Sequence, residues 1–265
     1  MNVQVLVAAM HQTDYSLLQK MNIRSDVIVG NQCDRNSVEN FEFNGYKATY
    51  LNFKERGVGL NRNNALIRAT GDICLFADED LVYADNYVEI IKKAFEKRPQ
   101  ADALIFNINT VGGEDRHRRQ NTKEKRIRIF NSLNYGATRI AVKRTSILKK
   151  RICFSQLFGG GSMYSSGEDS LIIRDMLKNG LKIYAIPETI AAVDQAASTW
   201  FSGYHEKFFY DKGALMKAMF PRTYFLMNDL YFPYRYKRIA GEKPSNIRKW
   251  MNQGSKALDK LRPYE

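Results

Sequence analysis

The sequence predicts an α/β fold built on a mainly parallel, doubly wound sheet. Three observations carry that expectation. Short apolar runs alternate with stretches of helical spacing through roughly the first 110 residues, the βαβα order that leads to a parallel sheet. One of those runs, Ile73-Cys74-Leu75-Phe76-Ala77, stops abruptly at three acids, Asp78-Glu79-Asp80. Ligands of an open α/β sheet bind just beyond the carboxyl ends of its strands, so the acids stand where chemistry is expected.

The elements follow in order. Val3–Ala9 reads as a strand and Asp14–Met21 as a helix with Tyr15, Leu18 and Met21 on one side. Asp26–Gly30 and Lys47–Phe53 read as two more strands, the first running into Asn31-Gln32-Cys33-Asp34. Leu60–Ala69 has helical spacing and stops at Gly71. After the acid-tipped strand, Asp85 is expected to cap a helix carrying Val88, Ile91 and Phe95, closed by Pro99. Ala103–Ile108 is a further strand. The second half is less regular. Gly112–Arg126 reads as a charged loop, Thr138–Val142 as a strand and Phe158–Ser162 as a glycine-rich segment. Glu168-Asp169 opens a helix that Gly180 closes, and Leu181–Ile186 is a strand ending at Pro187.

Composition narrows the class. With 265 residues, 44% apolar and 12% aromatic, the chain can bury a sizeable core and is not disordered. No stretch reaches the ~20 apolar residues needed to span a bilayer. Val3–Met10 is too short for the apolar part of a secretory signal. Three cysteines, Cys33, Cys74 and Cys153, show neither metal nor nucleophile spacing and suit a reducing compartment. The expected location is cytoplasmic, peripheral at the inner membrane face if the tail docks there. The net charge of +13 is unevenly spread: residues 116–128 carry +6, 143–151 carry +5 and 222–265 carry +6, whereas residues 1–115 carry −4. That asymmetry suits an anionic partner.

Three adjacent carboxylates repel one another unless something positive joins them. A divalent cation carrying a phosphorylated ligand does so, because hard cations take oxygen ligands. An isolated D-x-D is more often a turn or a helix cap. Two further polar features shift that balance, because Asn31–Asp34 and Glu168-Asp169 also stand just past a strand or at a helix start. A nucleotide needs polar groups to read its base, a diphosphate needs a carboxylate-held metal, and transfer to a hydroxyl needs a general base. Glu168-Asp169, at a helix amino terminus, is the natural place for that base.

Several blocks then line up: Gly57-Val58-Gly59-Leu60-Asn61-Arg62-Asn63, Ala69-Thr70-Gly71-Asp72, Leu75–Asp80 and Gly167-Glu168-Asp169. Their order and spacing resemble the family 2 glycosyltransferases with the GT-A, or nucleotide-diphospho-sugar transferase, fold. Ser198-Thr199-Trp200 is similar to a segment of bacterial surface-polysaccharide members. The resemblance covers roughly residues 1–200. It implies an inverting, metal-dependent transfer of a sugar from a nucleotide-diphosphate donor, a UDP-sugar, to a glycan or lipid-linked hydroxyl. It implies Asp80 as ligand of Mn²⁺ or Mg²⁺, and Asp169 as base assisted by Glu168. Donor-binding positions are Ala8, Asn31, Arg62, Asp78 and Glu79, with Glu79 expected to matter least.

Two positions depart from the family pattern. Gly30-Asn31-Gln32-Cys33-Asp34 stands where an acidic pair and a serine are usual, which leaves the base unassigned. Val193-Asp194-Gln195 stands where many members carry a histidine, so either Asp194 substitutes as a metal ligand or that contact is absent. The expected organisation is a catalytic domain over 1–219, with a donor half at 1–110 and an acceptor half at 111–219. A helical, aromatic and basic extension follows at 220–265. Most of its aromatics are expected to pack inward, with a subset meeting an anionic membrane surface. Two alternatives remain: a nucleotidyltransferase that makes a nucleotide sugar, and a basic nucleic-acid-binding protein. Against the first, Ala8-Ala9-Met10-His11 follows the first strand where a glycine-rich phosphate loop would be needed. Against the second, no nucleic-acid motif is present.

Overall fold

The computed structural model describes residues 1–111, 120–194 and 203–261, with Phe130 and Asp194 described by their backbones alone. The chain forms two compact units, residues 1–156 with 168–198, and residues 157–167 with 199–265. The second unit holds residues on both sides of position 219.

The first unit is organised by a single sheet. From edge to edge its strands are Ser37–Phe43 (β3), Tyr46–Phe53 (β4), Asp26–Gln32 (β2), Val3–Met10 (β1), Ile73–Asp78 (β5), Ile140–Lys143 (β9), Ala103–Val111 (β7), Ile183–Asp194 (β10) and Leu81–Tyr83 (β6). Lys125–Arg126 (β8) also pairs with β10. The block β4-β2-β1-β5 is parallel throughout, as is β7 with β10. Antiparallel pairing is confined to β9, inserted between β5 and β7, to β8, and to the edge strands β3 and β6.

Strand periodicity sends alternate residues to two cores. In β1 and β5, Val3, Val5, Val7, Ile73, Leu75 and Ala77 face one core, where Ser16–Lys20 (α1) and Tyr87–Lys97 (α3) lay down Leu17, Leu18, Ile91 and Phe95. Leu6, Cys74 and Phe76 face the other, covered by Val58–Arg68 (α2), Arg144–Lys149 (α4) and Glu168–Lys178 (α5) through Ala65, Leu66, Ile147, Ile172 and Met176. Both faces are dry, which is why these strands read as continuous apolar runs. The α/β, doubly wound expectation holds.

Four local details differ from the sequence reading. The β3–β4 hairpin was not foreseen, although Asn44-Gly45, at φ +51° and +81°, is the dipeptide that a tight hairpin turn favours. Asp85 does not cap α3. Its carboxylate accepts hydrogen bonds from Arg24 Nη2 at 2.6 Å and Asn22 Nδ2 at 3.0 Å, and Asn86 takes the cap position. β10 does not end at Pro187 but continues to Asp194. Its register against β7 shifts between Ala185 and Ala191, because proline has no N–H to donate to the ladder. Finally, α4 and β6 fill stretches that were not assigned, and of the expected loop at 112–126, residues 112–119 lie outside the described residues.

The second unit is helical: Glu206–Met219 (α6), a π-helical segment at Leu226–Tyr231, Phe232–Ala240 (α7) and Pro244–Lys260 (α8). α6 and α8 touch backbone to backbone. A Cβ on Gly213 would stand 1.9 Å from the Met251 carbonyl oxygen, and one on Gly254 would stand 1.9 Å from that of Tyr210. Ser255 Oγ sits in the same crossing, donating to the Gly213 carbonyl at 3.0 Å and accepting from buried Asn228 at 2.7 Å. Between Tyr210 and Gly213 on α6, buried Asp211 accepts from Ser165 N and Oγ at 2.9 and 2.7 Å and pairs with Lys207. These bonds hold the glycine-rich segment 157–167, within which Phe158 stacks on Tyr164.

Gly213→Ala and Gly254→Ala gain up to ~1 kcal/mol of helix propensity but drive a methyl into backbone that cannot yield locally. A net loss of about 1–3 kcal/mol is expected, read as a lower thermal midpoint. Gly160→Ala, whose Cβ meets nothing within 4 Å, is the control and should melt like the wild type. Equal midpoints for all three variants would contradict the close crossing.

Candidate active site

The carboxyl ends of β1, β2 and β5 come together, and Ala8 of β1 lies in register with Gly30 on one side and Asp78 on the other. Two hydrogen-bonded groups form just beyond. The first fixes residues 10–12. Asn31, fully buried, accepts from Gln12 N at 2.9 Å through Oδ1, and its Nδ2 donates to Gln12 O at 2.9 Å and Asn52 Oδ1 at 2.7 Å. From the opposite side Glu79 Oε2 accepts from Met10 N at 3.2 Å and Gln12 Nε2 at 2.6 Å. Between these anchors His11 is held at φ +55°, a conformation uncommon outside glycine. Burial pushes the Glu79 carboxyl up, while the Met10 N–H and Gln12 amide oppose that shift.

The second group is centred on Arg62. It is only 3% exposed. Its Nη2 donates to Asp78 Oδ1 at 2.7 Å, and its Nη1 to Glu168 Oε1 at 3.2 Å and Asp169 Oδ1 at 3.1 Å. The local sequence explains how an arginine reaches this place from α2. Gly57, at φ +119°, turns the chain into the helix. Gly59 lets α2 approach the Ser155 carbonyl, where a Cβ would meet the oxygen at 2.1 Å. Asn63 completes the anchor by exchanging two hydrogen bonds with the Phe154 backbone, at 2.8 and 2.9 Å. The Phe154 ring then lies 5.3 Å from the Arg62 guanidinium, within cation–π range.

One guanidinium thus faces three carboxylates. Burial opposes its charge, yet Asp78, Asp169 and Glu168 together hold it firmly protonated. The acids respond in the opposite sense. Burial and then Asp169 push Glu168 up to about 7, against the pull of Arg62. Asp169 is also raised, first by burial and then by Asp78, with Arg62 and the Ala137 N–H opposing. The pair therefore keeps a proton at a pH where ordinary carboxylates are ionised.

Residues 11–154 match the family described as Glycosyl transferase family 2. The chain belongs to that family. Among solved structures, the family 2 chain is similar to S. aureus TarS 1–349. The complex with UDP-GlcNAc gives a TM-score of 0.65 at 14% identity, covering 97% of this chain and 92% of the other. The complex with UDP gives 0.64 with the same identity and coverage. A further S. aureus TarS structure gives 0.64 at 15% identity, covering 95% of this chain and 55% of that one. At such identities the likeness establishes the fold, which is GT-A. Among curated proteins no match is found.

Of the foreseen residues, the structure gathers Asp78, Glu168, Asp169 and Arg62 around one charge, and Asn31 and Glu79 around one loop. Asp34 stands apart, exposed and paired with Arg56 at 2.9 Å. The Asp194 side chain and Ser198-Thr199-Trp200 lie outside the described residues. The antiparallel pair Val193–Leu81 nevertheless precedes Asp194 on one strand and follows Asp80 on the other. Among the described residues, no three His, Cys, Asp or Glu side chains converge to hold a metal by themselves. A cation using one or two carboxylates plus substrate phosphates does not need three, and Asp80 follows the end of β5 by two residues. Gln12, Asn63 and Phe154 were not foreseen. Asn63 carried a signal in standing beside Arg62, whereas Gln12 carried none.

Arg62→Gln should destabilise the protein by about 3 kcal/mol at pH 8, the low end for a broken buried ion pair because Asp78 stays partly solvated. The sign of the pH dependence follows from the raised carboxyls. A folded-state pKa above the unfolded one means that stability falls as pH rises through it, and removing the cation raises these values further. The deficit of Arg62→Gln should therefore shrink towards pH 5 in denaturant titrations. A deficit independent of pH would argue against the shared charge.

Proposed function

We propose that the protein is an inverting glycosyltransferase that moves a sugar from a nucleotide-diphosphate donor to a hydroxyl of a glycan or lipid-linked acceptor in surface polysaccharide biosynthesis. The observation that carries the proposal is the span of Arg62. It links Asp78, at the donor end of the parallel strands, to Glu168 and Asp169 at the start of α5. Membership of family 2 supports transfer chemistry. The likeness to TarS, crystallised with UDP-GlcNAc, supports a UDP-sugar as donor.

Each residue then has a task. The clamped loop 10–12, with Ala8, forms the bed for the nucleotide, and Asn31 and Glu79 serve it by positioning Gln12. Asp78 faces the donor's ribose or sugar. Asp80, with Asp194, would hold Mn²⁺ or Mg²⁺, which would supply a Lewis acid for the departing diphosphate. Asp169 is the base. It is more accessible than Glu168, at 32% against 11% side-chain exposure, and Arg62 favours its ionised form. Asp169 takes the proton of the acceptor hydroxyl, whose oxygen attacks the anomeric carbon. The bond from that carbon to the diphosphate breaks, and its electron pair leaves with the nucleoside diphosphate. Residues 1–110 serve the donor and 111–219 the acceptor. The setting proposed is cytoplasmic; among the described residues no helix is long and apolar enough to cross a membrane.

The decisive experiment is nucleotide release from a panel of nucleotide sugars with Mn²⁺. Asp169→Asn should lower kcat by about 10²–10⁴, the usual contribution of a general base. Asp80→Ala should abolish the response to metal. Release of pyrophosphate from a nucleoside triphosphate, or equal turnover by Asp169→Asn, would overturn the proposal.

Two finer outcomes follow from the geometry. In the wild type, kcat/KM should rise with pH along a limb near 7 rather than near 4, because the Glu168–Asp169 pair must lose its retained proton. Glu79→Ala should raise the donor KM about tenfold with little change in kcat, since two hydrogen bonds to the loop are lost at ~0.5–1.5 kcal/mol each. An unchanged KM would remove the loop from the donor site.

A further inference from the structure

The second unit presents a surface that the transfer reaction does not use. From residue 224 to 240 the chain winds continuously through the π-helical segment into α7. Tyr224, Asn228, Phe232 and Tyr236, four residues apart, face inward. Tyr236 packs against Tyr204, Phe209 and Phe232, and Asn228 is tied to Ser255. Phe225, Leu226, Leu230, Tyr231, Tyr234 and Ile239 are each between 43 and 60% exposed. Tyr224, Phe232, Tyr236 and Trp250 are buried or half-buried, and Phe225, Tyr231 and Tyr234 form the exposed subset of the tail aromatics. An α-helical turn takes 3.6 residues, so a seventeen-residue segment has room for one packed face and one outward face, and the apolar side chains occupy both.

Charge distinguishes what covers that outward face. Arg222, Arg235, Lys237 and Arg238 are all exposed around it. The one acid in 221–240, Asp229, is turned towards α8, where its carboxylate accepts from Asn252 at 2.7 Å and its backbone carbonyl accepts from Arg248 at 2.9 Å. The face thus combines aliphatic and tyrosine side chains with cations and no free acid. A second copy docked on the same face would oppose arginine to arginine with nothing to pair them. A bilayer with anionic headgroups offers both an apolar layer and fixed negative charge.

We infer that the segment 222–239 is an interfacial membrane-docking surface for anionic phospholipid. Leu226, Leu230, Tyr231 and Tyr234 enter the headgroup boundary, and the arginines and lysine rest on lipid phosphates. This docking does not depend on the glycosyltransferase reading.

The test is sedimentation of the full chain with phosphatidylcholine vesicles, with and without phosphatidylglycerol. The wild type should sediment with the anionic vesicles only and be released by salt. Arg235→Glu with Arg238→Glu should weaken partition by at least about fivefold for each basic residue lost. Leu230→Ser with Tyr234→Ser should weaken it about tenfold by removing apolar surface. Both double variants alter exposed positions, and unchanged circular dichroism and thermal midpoint establish that they fold. No sedimentation with anionic vesicles, equal sedimentation with neutral ones, or a dimer in solution that Leu230→Ser with Tyr234→Ser dissolves would each overturn the inference. None of these outcomes involves sugar transfer, so the two readings fail separately.

Discussion

The site depends on one buried cation. Arg62 is the group that allows Asp78, Glu168 and Asp169 to share a small, partly dry volume. Without it, three carboxylates in low dielectric would repel one another and take up protons. With it, they are held in place, while burial still raises both carboxyls at the start of α5, Glu168 to about 7. The same ion pairs that stabilise the fold therefore set the chemistry of the proposed base. Removing a charge from such a cluster affects both at once.

Much of the surrounding structure can be understood as what is required to bury that arginine. α2 must lie close to the segment at 154–155, so Gly59 carries no side chain and Asn63 binds the Phe154 backbone on both its N–H and C=O. The Phe154 ring then covers one face of the guanidinium. A similar economy operates at the ends of β1 and β2. Glu79, the middle acid of the triplet, turns away from its neighbours and clamps residues 10–12 together with Asn31. Asp78 and Glu79, adjacent at the end of β5, thus bind different partners, the first Arg62 and the second residues 10 and 12.

The second unit follows a different logic. Its helices meet at a glycine crossing over buried Phe209, Leu215, Met216, Ile247, Met251 and Leu258, with buried Asn228 and Ser255 hydrogen-bonded in the crossing. Several further apolar side chains remain exposed on the 222–239 segment among arginines. Four of the tail's ten basic residues, Arg222, Arg235, Lys237 and Arg238, stand on the same segment as that apolar surface.

The sequence by itself determined the elements whose signals are local. The apolar runs of β1, β2, β4 and β5, the helical spacing of α2, α3 and α5, and the Gly180 stop are all where periodicity and turn chemistry put them. It also marked Asp78, Glu168 and Asp169 as candidates, through acids at a strand end and a helix start taken together, and Arg62 through the resemblance to the family 2 glycosyltransferases. Other features were decided only by tertiary structure. Asp85 forsakes its cap because Arg24 and Asn22 reach it from elsewhere in the chain. Nothing near Gln12 or Glu79 in sequence reveals that they bind each other across 67 residues. Nor does any local pattern tell that one arginine from α2 meets acids 16 and 107 residues away. Periodicity reports which face of an element is buried. Which charges are buried together depends on how the faces meet, and that information exists only once the sheet has closed.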